Sequence, residues 1–248
     1  MTAEPAVAQV LEPVAARAWP PAESAAIGGW RLHASSGFSG RIDACWPLAA
    51  PDRPVGDAIA FVEAWYAARG LPPLFKIVDG GGDPAELAGR LTALGYGPRT
   101  ETLMMTGALR PLCDQEVRLS DAVGEGFAAV FAAAGSGDAG DANERLCALR
   151  RIPPPRAFAR LDIEGRPVAI GACAVEGRWS GIFAMRTDAR HRRRGIAGRI
   201  LGALMTEAAD AGAVNAYLRV EANNATARRL YDGWGFTEAY RYRYWARG

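Results

Sequence analysis

The sequence predicts an α/β protein with a mixed sheet, arranged as two lobes, and three observations carry that expectation. Gly181 to Thr187 is a short apolar run. A basic turn follows it, and from Gly195 an apolar stripe returns at Ile196, Ile200, Leu201, Leu204 and Met205, so strand, turn and helix succeed one another. Strand and helix signals alternate along most of the chain, as they do where helices cover a sheet. A third signal is an internal recurrence. Leu74-Phe75-Lys76-Ile77 corresponds to Tyr217-Leu218-Arg219-Val220, and Leu91-Thr92-Ala93-Leu94-Gly95-Tyr96 to Tyr231-Asp232-Gly233-Trp234-Gly235-Phe236.

A chain of 248 residues is long enough to bury roughly 70–75% of its extended surface without staples. The four cysteines, Cys45, Cys113, Cys147 and Cys173, lie far apart with no C-x-x-C pair, which predicts reduced, mostly buried thiols in a cytoplasmic protein. With His33 and His191 as the two histidines, no metal site is expected. No secretory leader and no run of 18 apolar residues is visible, so no membrane association is expected. A net charge of +2, from 29 basic and 27 acidic side chains, speaks against a dedicated nucleic-acid binder.

In chain order, Val7, Val10, Leu11 and Val14 predict a helix over 6–18, stopped by Pro20-Pro21. Trp30 to Ala34 and Arg41 to Trp46 read as a hairpin about Ser35 to Gly40. After Pro51 to Pro54 comes a helix from Val55 to Arg69, with Ile59, Phe61, Val62 and Trp65 as its buried face. A strand at Leu74 to Val78, a flexible turn at Gly80 to Asp83, a helix at Pro84 to Leu94 and a strand at Glu101 to Leu109 complete a first lobe. Arg110-Pro111-Leu112 is the expected linker. The second lobe is predicted as strand 116–119, helices 121–134 and 143–151, strands 157–163, 168–175 and 181–187, the helix after Gly195, strand 216–220, a helix begun by Asn223 or Asn224, and a terminal strand 239–245 with one face packed.

The start of the helix after Gly195 carries the chemistry. Its backbone N–H groups are unshielded at Gly195 and Gly198, and Arg192, Arg193 and Arg194 stand just ahead, a natural cradle for phosphate. Arg192 to Ala197 matches [Q/R]-x-x-G-x-[G/A] between a strand and a helix. Downstream, Asn224, Ala227, Leu230, Tyr231, Gly235 and Phe236 match N-x-x-A-x-x-L-Y-x-x-x-G-F. Together these motifs resemble the acetyl-CoA signatures of the GNAT superfamily of N-acetyltransferases. The resemblance covers the second lobe from Val168 onward and the first only loosely, and the first copy of the repeat has no arginine and glycine loop.

The resemblance implies a GNAT fold with a degenerate GNAT-like lobe over 1–110 and a catalytic lobe over 114–248. It implies acetyl transfer directly from acetyl-CoA, a cosubstrate, to an amine of unknown identity. The diphosphate would rest on Arg192, Arg193, Arg194, Gly195, Ile196, Ala197 and Gly198, with the pantetheine arm along the backbone of Met185, Arg186 and Thr187. Asn224 and Tyr231 would complete the cofactor site, and Tyr231 would protonate the departing thiolate, since its O–H has a pKa above that of the thiol. An alkyl ammonium is almost wholly protonated at neutral pH and needs a base or a water relay. Many members carry a glutamate on the strand that here has Phe183, Ala184 and Met185. Glu221 is therefore the first candidate base and Asp188 the second; the alternative for either is a loop salt bridge or helix cap. The first helices of the second lobe would border the acceptor entrance. A protein that senses acetyl-CoA without transferring acetyl is the alternative, and a nucleic-acid module built on Arg190 to Arg194 and the terminal strand is a further rival. No nucleic acid and no membrane partner is expected, and the protein is expected as a monomer or homodimer.

Overall fold

The computed structural model describes residues 7–79, 84–133 and 139–248. The expected turn at Gly80 to Asp83 and most of the small polar stretch from Gly135 lie outside the described residues. The chain forms two compact units, one of Met1–Met104, Val220–Asn224 and Glu238–Gly248, the other of Met105–Arg219 and Ala225–Thr237. Beside the expected cut at Arg110 to Leu112, the units are interleaved in sequence.

The first unit holds α1 (Val7–Arg17), β1 (Glu23–Ile27), β2 (Trp30–Ala34), β3 (Cys45–Pro47), α2 (Val55–Ala67), β4 (Phe75–Val78), α3 (Pro84–Ala93), the first part of β5 (Tyr96–Ala108) and nearly all of β11 (Thr237–Arg247). Its strands run in the order β1-β2-β3-β4-β11-β5. β1 was not expected, because Glu-Ser-Ala-Ala has little strand propensity. It forms because Gly28-Gly29 closes a two-residue hairpin with β2, Gly28 at φ +54. The expected strand at Arg41 shrinks to Cys45–Pro47. Asp43 accepts the N–H groups of Ser35 (2.6 Å) and Ser39 (3.4 Å), which folds the preceding residues into a loop.

The buried face of α2 is Ala58, Ile59, Val62 and Tyr66: Ile59 and Val62 are buried as expected, while Ala58 and Tyr66 take the places expected for Phe61 and Trp65. Phe61 is 37% exposed beneath the Arg53 guanidinium, and Trp65 is half-buried against Arg69. Tyr66 takes the inner position because its hydroxyl donates to the His33 carbonyl at 2.8 Å. On β4 the side chain of Lys76 is enclosed. Its ammonium pairs with Glu12 and lies 3.8 Å from the Trp46 ring and 4.1 Å from the Tyr242 ring, while the Tyr240 hydroxyl donates to Glu12 at 2.6 Å. A buried charge persists when it is paired in this way.

The second unit holds β6 (Val117–Ser120), α4 (Glu125–Ala133), α5 (Ala139–Arg151), β7 (Arg156–Ile163), β8 (Arg166–Glu176), β9 (Trp179–Thr187), α6 (Ile196–Asp210), most of β10 (Asn215–Glu221) and α7 (Ala225–Gly233). Its strand order is β10-β9-β8-β7-β6, antiparallel from β6 to β9 and parallel between β9 and β10. Glu164-Gly165, both at positive φ, turns β7 into β8, and Gly177-Arg178 turns β8 into β9. α4 starts later than Asp121 because Ser120 and Ala122 close a tight turn on each other first.

The recurrence in sequence is matched in local geometry. At the end of α3, Leu94 N–H bonds to the carbonyls of Arg90 and Leu91, and Gly95 N–H to Thr92. At the end of α7, Trp234 N–H bonds to Leu230 and Tyr231, and Gly235 N–H to Asp232. Gly95 and Gly235 are both left-handed, at φ +83 and +82, the conformation in which a helix-ending glycine frees the chain to turn into the next strand.

Candidate functional site

The site is built on a break in the pairing of β9. Residues Asn215 to Leu218 of β10 pair in parallel with Trp179 to Ile182, after which β9 continues to Thr187 along β8. Its register against β8 shifts between Ile170 and Ala172, so Ala184 and Met185 oppose Gly171 alone, with Ala184 at φ +53. This is a β-bulge, which bends its strand and redirects the side chains after it. Gly171 is required by what fills the bulge. A Cβ there would stand 2.6 Å from the Met185 sulfur and 2.7 Å from Ile200. Met185 thus faces α6, whereas Arg186 reaches the opposite face, where its guanidinium donates to the Phe131 carbonyl of α4.

Beyond Thr187 the chain makes a 3-10 turn, Ala189–His191, capped by Asp188, whose carboxylate accepts the Arg190 N–H. That bond, and the His191 imidazole 3.3 Å away, hold the Asp188 carboxyl below its ordinary pKa. Asp188 is accordingly a cap that stays ionised and a weaker base than an ordinary carboxylate. Arg192, Arg193 and Arg194 are exposed, and Arg192 donates to the Thr187 carbonyl at 3.3 Å. Arg193 and Gly195 are left-handed, at φ +60 and +75, and Gly195 is the N-cap of α6. The N–H groups of Gly198 and Arg199 both bond to the Gly195 carbonyl, at 3.0 and 3.3 Å. Those of Ile196 and Ala197 precede these first helical bonds, directly after three exposed arginines in the chain.

Gly198 and Gly202 serve packing as well. A Cβ on Gly198 would come 3.3 Å from the Trp234 indole nitrogen, and one on Gly202 3.0 Å from the same ring, so α7 lies close on α6 through Trp234. Tyr231, one turn earlier on α7, is buried and packs edge-on to Phe236 with ring centres 5.9 Å apart. The second unit contains Met185, Arg186, Thr187, the loop Arg192 to Gly198, and Tyr231; β9 leads directly into the loop, and the end of α7 meets α6 through Trp234. Glu221 and Asn224, both exposed, pack with the first unit, where the N–H of the intervening Ala222 donates to Glu101. Phe183, on the strand where many GNAT proteins carry a glutamate, is buried edge-on to Tyr217. Sequence reading missed Gly171, the side-chain role of Arg186, and the seat of Trp234 on Gly198 and Gly202. The four-residue spacing of those glycines was the available signal for the last.

A cavity of about 380 Å³ lies beside the loop, lined by Ala129, Val130 and Ala133 of α4, Pro167 of β8, Asp188 and Arg192. Among the described residues no group of three or more His, Cys, Asp or Glu side chains could hold a metal ion, and no helix is long and apolar enough to cross a membrane.

Comparison with known proteins agrees with this geometry. The family described as "Probable histone acetyltransferase Rv0428c C-terminal" matches residues 6–245. The "Uncharacterized N-acetyltransferase YobR" of Bacillus subtilis is 26% identical over 234 residues, covering 92% of this chain and 93% of the relative. A GCN5-related N-acetyltransferase from Kribbella flavida superposes with a TM-score of 0.68 at 17% identity, over 98% of this chain and 93% of that one. A tandem GNAT protein from the clavulanic acid biosynthesis pathway superposes with a TM-score of 0.61 at 12% identity, over 99% and 88%. With a bulged strand leading into a glycine-capped, arginine-flanked helix start and a family match along nearly its whole length, the chain belongs to the Rv0428c C-terminal acetyltransferase family, a branch of the GNAT superfamily.

Proposed function

We propose that this protein transfers acetyl from acetyl-CoA directly to an amine. The observation that carries the reading is the left-handed turn at Arg193 and Gly195, which presents the Ile196 and Ala197 N–H groups and three exposed arginines at the start of α6. A diphosphate suits that arrangement, since helix ends and guanidinium groups both favour anions. The pantetheine arm would follow the backbone of Met185 to Thr187, whose bulge ends regular pairing, and Tyr231 would hand its proton to the CoA thiolate. Asn224 as a cofactor ligand and Glu221 as the base rest on their places in the motif and after β10. The family's name points to lysine amines as acceptors to try first.

The division into a degenerate lobe over 1–110 and an active lobe over 114–248 belongs to the same proposal, supported by the matched ends of α3 and α7. The start of α2, which occupies the place of α6 in the first copy, offers an anion little. Its N-cap is Pro54, Asp52 stands just ahead paired with Arg53 at 2.8 Å, and the Gly28-Gly29 turn packs onto Pro51 and Asp52.

The test is thermal unfolding with and without acetyl-CoA, followed by thiol release with spermidine, a tetralysine peptide and an alanine-leading peptide. A rise in melting temperature and acceptor-dependent thiol release are expected. A rise without thiol release would favour the sensing alternative, and no rise would remove the cofactor site.

A further inference from the structure

Tyr231 and the start of α6 stand on different elements, and handing a proton to a departing thiolate needs them in fixed register, since a misplacement of about 1 Å can cost a reaction about a hundredfold. One side chain spans the two. Trp234 directly follows α7, and its N–H donates to the Tyr231 carbonyl at 3.0 Å, the same carbonyl that accepts the Phe236 N–H at 3.0 Å. Its indole reaches the other way. The indole nitrogen would stand 3.3 Å from a Cβ on Gly198, and the far end of the six-membered ring 3.0 Å from one on Gly202, so the ring lies along one turn of α6. Gly202 is shared with Leu112, whereas the groups nearest a Cβ on Gly198 all belong to Trp234. Gly198 lies in the first turn of α6, where its N–H closes on the Gly195 carbonyl at 3.0 Å. Glycine weakens a helix interior, and here two of them on one face are offset by the aromatic ring they seat.

We propose that Trp234 is a positioning residue that holds Tyr231 in register with the diphosphate cradle, its backbone bonded to the proton donor and its ring seated on the helix turn that receives the acetyl donor. In the transfer, the amine nitrogen bonds to the acetyl carbon, the C–S bond breaks, and the sulfur takes the Tyr231 proton; the proton that the amine gives up leaves to base or solvent, from which Tyr231 is reprotonated. The inference rests on the acetyl-transfer reading and deepens it, naming the part that ties the general acid to the donor site.

The test measures thiol release, with saturating acetyl-CoA and the tetralysine peptide, for Trp234→Leu and Trp234→Phe, each made in the wild type and in Tyr231→Phe. In the wild-type background Trp234→Leu is expected to lower kcat about tenfold, while the acetyl-CoA Kd from calorimetry stays within about threefold. Trp234→Phe keeps a ring and should retain more of the turnover. In Tyr231→Phe, where no side-chain proton is left to position, Trp234→Leu should change the residual kcat by less than about twofold, the mark of two residues acting as a unit. Amide hydrogen exchange over residues 228–236 should accelerate in Trp234→Leu. Equal falls of kcat in both backgrounds, as a general loosening of the fold would give, overturn the proposal. So do an unchanged kcat in the wild-type background, unchanged exchange, or a Tyr231→Phe protein as active as the wild type. A wild type that releases no thiol with any acceptor overturns the acetyl-transfer reading and this inference with it, whereas an active wild type with equal falls in both backgrounds overturns this inference alone.

Discussion

At Tyr231 and Gly195 the same residues serve the fold, one by packing and one by its backbone conformation, and the proposed chemistry. Tyr231 packs through its ring against Phe236, and only its hydroxyl is asked to move a proton. Tyr231→Phe keeps the ring and should lower turnover by about 10²- to 10⁴-fold, the usual worth of a general acid, as read by thiol release with saturating acetyl-CoA. Gly195 has open space around its Cα but sits at φ +75. A side chain there meets backbone strain of about 1–2 kcal/mol and no clash. Gly195→Val should lower the melting temperature modestly and shrink the stabilisation by acetyl-CoA, because the turn that aims the Ile196 and Ala197 N–H groups relaxes. Equal stabilisation of variant and wild type would show that the turn does not hold the ligand.

Among elements, α6 is fixed at two places that motif reading does not weigh. Beneath its middle, Gly171 leaves room for Met185, Ile200 and Leu204 to meet under the bulge. Gly171→Val overfills that space and should cost about 1–3 kcal/mol in urea unfolding, with the loss traced to β8, β9 and α6 by hydrogen exchange. Near its start, Arg199 bonds to Asp114 at 2.8 Å and also pairs with Glu116, ahead of and beside β6. The guanidinium, then the Glu116 N–H, hold the Asp114 carboxyl below its ordinary pKa. A carboxyl depressed by folding stabilises above its unfolded pKa, about 3.9, and that contribution fades as pH falls through the folded value. Wild type should exceed Asp114→Asn by about 1 kcal/mol or less at pH 7, and the two should converge on acidification toward pH 2. A gap that persists in acid would mean that packing, not charge, is what Asp114 supplies.

For the whole molecule, the notable fact is that residues distant in sequence complete the first unit. β11 stands between β4 and β5 there, with Arg241 and Arg243 paired to Glu101 and Arg247 to Glu63. Its Tyr240 and Tyr242 close over Glu12 and Lys76. Lys76→Met leaves the Glu12 carboxylate buried without its cation and should cost about 3–5 kcal/mol, whereas Lys76→Met with Glu12→Leu should recover most of it, since an apolar pair replaces a buried ion pair at little cost. Chemical denaturation of the three proteins checks this. A double variant as unstable as the single one would assign the loss to packing against Trp46 and Tyr242.

The sequence by itself determined most of the elements and the motif of one turn. Helical and strand periods, prolines and glycines are local, so α1, α2, α3, β7 to β10 and α6 could be read from them. The arginine and glycine spacing before α6 and the tyrosine motif were legible for the same reason, because each is set by a few residues close in sequence. Tertiary structure decided what depends on distant partners. Tyr66 displaced Phe61 and Trp65 from the buried face because His33 offers its hydroxyl an acceptor. β1 formed on a turn rather than on propensity. The bulge that parts Met185 from Arg186, the enclosure of Lys76, and the place of β11 in the first unit were settled by packing and pairing across the chain, which no local pattern records.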